Sequence, residues 1–233
     1  MKILITGASR GIGKAIARAF AAHGHELYLS SRNDLLLYKV LEELQLHFPQ
    51  SRFKAKAFDV AEKQQAQDLG SWMLADGGAP DVLVNNAGIF EPGSVYSEPD
   101  GALERQVATN LYSAYHLTRT LLPAMMSRRS GHIFNMCSIA SLKAYDNGGA
   151  YSISKFALYG FSKNLREELK PYGIKVTSVL PGAVLTDSWG DYDNSQARIM
   201  EASDIGQLVY TASQLSAGAC VEDIVVRPQL GDL

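Results

Sequence analysis

Short runs rich in apolar and β-branched residues alternate along the chain with longer stretches of helical character. The short runs predict strands near 2–6, 25–31, 52–59, 81–86, 131–137, 175–180 and 222–227, and the longer ones predict helices near 11–23, 34–48, 61–75, 101–128, 150–170 and 203–215. Regular alternation of strand and helix is the pattern of a parallel sheet covered on both faces, because each parallel step needs a crossover that a helix supplies. The expected fold class is α/β: a doubly wound Rossmann-type fold, about seven parallel strands with helices on both faces.

The 233 residues fit one such domain over 1–233, and Asp76-Gly-Gly-Ala-Pro80 is sized for a loop, not a linker. The least regular stretch, about 183–202, contains Trp189, Gly190, Tyr192 and several acids. It follows the carboxyl end of a strand, where ligands bind in open α/β sheets, and is read as a short substrate lid; the alternative is a plain surface connection.

Composition narrows the partners. A charged fraction of 20% and a formal net charge of -2 give no electrostatic attraction toward nucleic acid or an anionic membrane, which leaves small molecules. The apolar start Lys2-Ile-Leu-Ile-Thr6 is too short for a signal-peptide core and no apolar run spans a bilayer, so the expected location is cytoplasmic. Cys137 and Cys220 form no Cys-x-x-Cys pair and read as buried thiols. His25-Glu26 is followed at position 29 by leucine, so no H-E-x-x-H zinc motif exists and no metal is expected.

After the first strand come Gly7, Gly11 and Gly13, with Ser9, Arg10 and Ile12 between them, opening a helix whose free N–H groups suit a pyrophosphate. The spacing is G-x-x-x-G-x-G, not the usual G-x-G-x-x-G. About 20 residues further on, an acidic side chain would bind the ribose 2′-hydroxyl of NAD. This chain has Ser31-Arg32 there. With Arg10, two guanidinium groups are available to a 2′-phosphate, and the expected cofactor is NADP(H).

Tyr151 and Lys155 stand four residues apart, on one face of a helix, thirteen residues after Ser138. An ammonium there would favour the phenolate and draw the tyrosine down from its usual ~10 toward the range of general acid/base work at a carbonyl or alcohol. Tyr159 and Lys163 repeat the spacing. Only Tyr151 lies at the start of its helix, beside the strand ends where Ser138 emerges, whereas Tyr159 is ~12 Å away by helix rise and reads as packing. Met136-Cys-Ser-Ile-Ala140 lacks the glycines of a nucleophile elbow, so Ser138 is not read as an acyl nucleophile. Arg128-Arg129 either docks an acidic carrier or complements a helix dipole, and the dipole is favoured.

Together, Thr6-Gly-Ala-Ser-Arg-Gly-Ile-Gly13, Asp59-Val60, Asn85-Asn-Ala-Gly88, Ser138 with Tyr151-x-x-x-Lys155, and Pro181-Gly-Ala-Val-Leu-Thr186 resemble the short-chain dehydrogenase/reductase family in its compact form, over nearly the whole chain. The resemblance implies that Ser138 holds the substrate oxygen, Tyr151 exchanges its proton, and Lys155 binds the nicotinamide ribose and lowers the tyrosine pKa. Asn110 matches the fourth catalytic position, which holds a proton-relay water. It further implies that Asp59 and Val60 flank the adenine, that Asn86, Ala87 and Gly88 line the adenosine ribose, and that Pro181, Gly182, Val184 and Thr186 embrace the nicotinamide end. A homotetramer or homodimer packed through the long helices at about 101–128 and 150–170 is also implied; Ala157, Gly160 and Phe161 suit close helix packing there or core burial within one subunit.

The implied activity is NADP(H)-dependent interconversion of a small carbonyl and a secondary alcohol. The alternative is a dinucleotide-binding redox-sensing or regulatory protein with little turnover. Where many members of the family end in a glycine-rich segment, this chain ends in Glu222-Asp-Ile-Val-Val-Arg-Pro-Gln-Leu-Gly-Asp-Leu233, which leaves the substrate open.

Overall fold

The computed structural model describes residues 1–232, Ser188 by its backbone alone, so that Leu233, the last residue of the expected domain, lies outside the described residues. At its centre is a seven-stranded sheet in which every neighbouring pair is parallel. Its strands are β1 (Lys2–Thr6), β2 (Glu26–Ser30), β3 (Arg52–Ala55), β4 (Val82–Asn85), β5 (Gly131–Met136), β6 (Ile174–Pro181) and, after a small ribbon of β7 (Val184–Leu185) and β8 (Met200–Glu201), β9 (Asp223–Val226). The spatial order β3-β2-β1-β4-β5-β6-β9 reverses direction between β1 and β4, which opens a crevice at their carboxyl ends.

The helices are α1 (Gly11–Ala21), α2 (Asp34–His47), α3 (Lys63–Gly77), α4 (Ala102–Val107), α5 (Ser113–Arg128), α6 (Gly149–Leu169) and α7 (Ala202–Ser213). The two-residue period of each strand divides its side chains between two cores. Ile3 and Ile5 of β1 pack with Ile16 and Phe20 of α1 and Ile205 and Val209 of α7, while Leu4 faces Leu69 of α3, Leu117 of α5 and Leu165 of α6. Burial on both faces is why these strands read as nearly continuous apolar runs.

Beneath the crevice a buried polar ladder crosses the sheet. Asn85 Nδ2 donates to Thr118 Oγ1 at 3.0 Å and to Asn135 Oδ1 at 2.8 Å, Asn135 Nδ2 donates to Ser162 Oγ at 3.1 Å, and Ser178 Oγ donates to Ser162 Oγ at 3.0 Å. It ties β4, β5 and β6 to α5 and α6 just below the strand ends, where polar groups so deeply buried need partners.

Four expectations need adjustment. The third strand ends at Ala55, not 59; Lys56 and Phe58 still donate to the carbonyls of Leu29 and Ser31, at 3.1 and 3.2 Å, so the chain runs beside β2 and carries Asp59 to the crevice rim. The helix expected over 101–128 is broken by a π-helical turn, Ala108–Tyr112. The stretch 183–202 contains the parallel ribbon β7–β8 and a 3₁₀ turn, Asp187–Trp189. Arg128 and Arg129 do more than face a helix end: Arg128 donates to the carbonyls of Ala79 and Pro80 at 2.7 and 2.6 Å, and Arg129 to that of Pro171 at 2.5 Å.

Candidate active site

The glycine turn is held from β4. Thr6 Oγ1 accepts from the backbone N–H groups of Asn86 and Ala87 at 3.0 and 2.9 Å, while Asn86 Nδ2 donates to the carbonyls of Thr6 and Gly7 at 2.9 and 3.2 Å. Asn86 and Ala87 thus act through the turn they brace. Gly7 adopts φ +65°, and a Cβ on Gly13 would collide with the Gly7 carbonyl, so neither position accepts a larger residue without a shift. Ile12 packs half-buried against the core.

Helix α1 begins after Arg10 with no side-chain cap and no acidic residue in its first turn, leaving its N–H groups and the positive end of its dipole for an anion. Ser9, Arg10 and Gly11 line a cavity of about 310 Å³ with Lys14, Lys39, Glu43 and Asp187. The free N–H groups at the start of α1 fit a dinucleotide pyrophosphate, and the cavity beside them, where Arg10 stands, has room for a further phosphate.

At the end of β2, Ser31 is buried and its hydroxyl donates to the Asn33 carbonyl at 3.0 Å, beside the Asn33 side chain that caps α2 by accepting from Leu36 N at 3.0 Å. Ser31 therefore shapes the turn, while Arg32 reaches outward, 70% exposed, to within 3.9 Å of Asp59 Oδ2. Val60 is buried beside them.

The catalytic candidates converge at the ends of β4 and β5. Ser138 follows β5 and caps a 3₁₀ turn, Ile139–Ser141: its Oγ accepts from Ala140 N at 3.1 Å, and its own N–H donates to Ser141 Oγ at 3.2 Å. A hydroxyl fixed by an accepted bond keeps its proton for donation. Tyr151 lies in the first turn of α6, near enough to Ser138 for that hydroxyl to favour its phenolate. Lys155, buried, donates to the Met136 carbonyl at 2.7 Å, with its ammonium 5.7 Å from the Tyr151 ring centroid. Two donors remain on that ammonium. Gly88 sits against this pair; a Cβ there would stand 3.6 Å from Lys155 Nζ and 3.1 Å from Asn110 Oδ1.

Asn110 occupies the π turn, a distortion that often marks functional positions. Its side chain is a clamp: Oδ1 accepts from Ile89 N at 2.8 Å, and Nδ2 donates to the Ile89 carbonyl at 3.0 Å and to Ser154 Oγ at 2.8 Å. Ser154 in turn donates to the Tyr151 carbonyl at 2.7 Å.

Burial reverses the expected electrostatics. It pushes the Tyr151 phenol above its ordinary value, against the opposing influence of the Ser138 hydroxyl, and Cys137 adds to the rise. It lowers Lys155 to about 8. Both shifts favour the neutral forms, so burial outweighs the pull expected of the ammonium on the phenol. Cys137, itself buried, is raised to about 12 by burial and is an inert thiol.

Tyr159 and Lys163 are used elsewhere: both bond Asp223 Oδ2 of β9, at 3.3 and 2.5 Å, and so stitch the edge strand to α6. Pro181 ends β6, Gly182 N donates to the Val226 carbonyl at 2.8 Å, Val184 is buried, and Thr186 lies against Gly11. Three functional neighbours escape sequence reasoning. The Met136 carbonyl accepts from Lys155, the Glu98 carboxylate accepts from the Ala150 N–H, and Phe90 packs edge-to-face on Tyr151 with centroids 4.9 Å apart; only its place just after Gly88 could have drawn attention to Phe90.

The family model described as short chain dehydrogenase matches residues 1–197. The chain belongs to the short-chain dehydrogenase family. This oxidoreductase is 34% identical to a sepiapterin reductase of Chlorobaculum tepidum over 99% of its own length and 97% of the relative's. Among solved structures, a metagenomic short-chain oxidoreductase in complex with NADP is 30% identical, with a TM-score of 0.86 and coverage of 98% and 97% of the two chains. The L-sorbose reductase of Gluconobacter frateurii, complexed with NADPH and L-sorbose, is 25% identical with a TM-score of 0.88, covering 100% of this chain and 96% of that one. No helix among the described residues is long and apolar enough to cross a membrane.

Proposed function

We propose that the chain is an NADP(H)-dependent oxidoreductase that interconverts a carbonyl and a secondary alcohol on a small substrate, with Tyr151 as general acid/base. The convergence of Ser138, Tyr151 and Lys155 beside the uncapped start of α1 carries this reading. The coenzyme is assigned from Arg10 and Arg32 at the crevice rim, and relatives complexed with NADP or NADPH support it.

When bound, the nicotinamide supplies or accepts the hydride. The residues of the chain do the rest. The N–H groups at the start of α1 bind the pyrophosphate, and the two remaining donors of Lys155 hold a ribose. Ser138 and Tyr151 hydrogen-bond the substrate oxygen and stabilise the negative charge that develops on it. In the reductive direction the neutral phenol gives its proton to that oxygen; in the oxidative direction it recovers it. Asn110 keeps Tyr151 in place through Ser154. Phe90, 47% exposed, presents a flat apolar wall beside the phenol, and the segment 183–202 closes the crevice as a lid over a single domain.

Outward-facing Ile153 and Phe156 on α6 and Tyr112 at the end of the π turn are 46%, 45% and 50% exposed, and support a homodimer or homotetramer built on α5 and α6. Gly160 leaves open space on the same face, whereas Phe161 packs within the subunit, 5.6 Å from the Tyr115 ring. Light scattering should give a dimer or tetramer, and a monomer at micromolar concentration contradicts this assembly.

A carbonyl panel scored by NADPH consumption tests the activity. Turnover of at least one small ketone or aldehyde is expected; coenzyme binding with no turnover across a broad panel contradicts it.

A further inference from the structure

The cavity beside the glycine turn contains an ion pair whose two members respond oppositely to a phosphate. Arg10 Nη1 stands 3.6 Å from Asp187 Oδ2, with side chains 66% and 59% exposed. The other carboxylate lining the cavity, Glu43, is already gripped by Lys14 and Arg18, each at 2.6 Å. Asp187 has Arg10 as its ion-pair partner and opens the turn Asp187–Trp189. The chain is set there by a close approach: Gly11, at φ +50°, leaves room for Thr186, whose Cγ2 would lie 3.2 Å from a Cβ at that position.

We propose that Asp187 is a specificity-determining residue whose carboxylate competes with the coenzyme 2′-phosphate for Arg10. This rests on the NADP(H) reading above. A 2′-phosphate approaching Arg10 competes with a carboxylate already beside the guanidinium, and it does so in a cavity where that carboxylate remains a nearby like charge. A coenzyme without that phosphate leaves the pair undisturbed. Asp187 therefore weakens NADPH selectively and narrows a preference that Arg10 and Arg32 create. An exposed ion pair has a small intrinsic strength, so the effect is a few-fold and shrinks as salt screens it.

The test is a double-mutant cycle on dissociation constants, measured by fluorescence titration of NADPH and NADH at low ionic strength with the parent, D187N, R10A and the double variant. Asp187 is exposed, so its amide disturbs no buried contact. Asp187→Asn should tighten NADPH about 2- to 5-fold, leave NADH nearly unchanged, and lose its effect on NADPH when Arg10 is alanine. An equal change for both coenzymes, no change, or the same gain without Arg10 overturns the proposal. An NADPH preference that depends on Arg10 but ignores Asp187→Asn removes only the role of Asp187. Equal affinities of the parent for the two coenzymes remove the NADP(H) reading and the competition with it.

Discussion

Glu98 holds the backbone N–H of Ala150 with both carboxylate oxygens, each at 3.1 Å, and the next residue along α6 is Tyr151. The grip joins the loop that carries Phe90 to the first turn of the catalytic helix, and a negative charge there also suits the helix dipole. Glu98→Ala should cost ~0.5–2 kcal/mol of stability, the range for a lost helix cap, and should lower kcat more than it raises KM because the proton donor loses its setting. Glu98→Gln keeps one acceptor oxygen and should recover part of both losses. Thermal melts and steady-state kinetics on the pair check this; unchanged kcat in Glu98→Ala would separate the cap from the chemistry.

Arg32 is 70% exposed and its nearest acid is Asp59 at 3.9 Å, so its guanidinium is available to a ligand. Replacing it with aspartate puts a carboxylate where the ribose of NAD would offer hydroxyls and that of NADP a phosphate. Arg32→Asp should weaken NADPH by 10-fold or more while NADH is held or improved. Titration of both coenzymes decides it, and a preference unmoved by the substitution would assign the phosphate to other residues.

His132 is buried at the start of β5, its Nε2 2.7 Å from Thr177 Oγ1, whose own proton goes to the Val221 carbonyl at 2.5 Å. That chain of donors requires a proton on Nε2, and burial favours the neutral ring. Burial, helped by Lys175, lowers its pKa to about 3, below the unfolded value near 6.5. Between those values the unfolded chain binds the extra proton, so stability falls as pH drops from 6.5 toward 3, by up to ~1.4 kcal/mol per pH unit. Denaturant titrations from pH 7 to 4 should therefore show a shallower decline for His132→Gln than for the parent. Parallel curves would mean that this histidine does not drive the acid loss.

The strands were legible because β1 and β4 are buried on both faces and so carry short unbroken apolar runs, and the crevice followed from the parallel order. The glycine turn and the set Ser138, Tyr151 and Lys155 were legible as short patterns whose chemistry demands those residue types. Asn110 was located, but its π turn was not, since one extra residue in a helical turn leaves little mark on an apolar period. Partners far away in sequence were also hidden: Glu98 meets Ala150 across 52 positions, and nothing local announces it. The direction of the Tyr151 shift is hidden for a related reason, because spacing reveals the nearby ammonium but not the partial burial of the tyrosine.

Tyr151→Phe tests the central claim most directly, because it removes the phenolic oxygen and leaves the ring that packs on Phe90. The account predicts an intact fold, NADPH affinity within about 3-fold of the parent, and a kcat lower by ~100-fold or more on any carbonyl the parent reduces, whereas Tyr159→Phe, which loses only a bond to Asp223, changes kcat little. Parent-like turnover in Tyr151→Phe would contradict the assignment of the proton donor and with it the proposed mechanism.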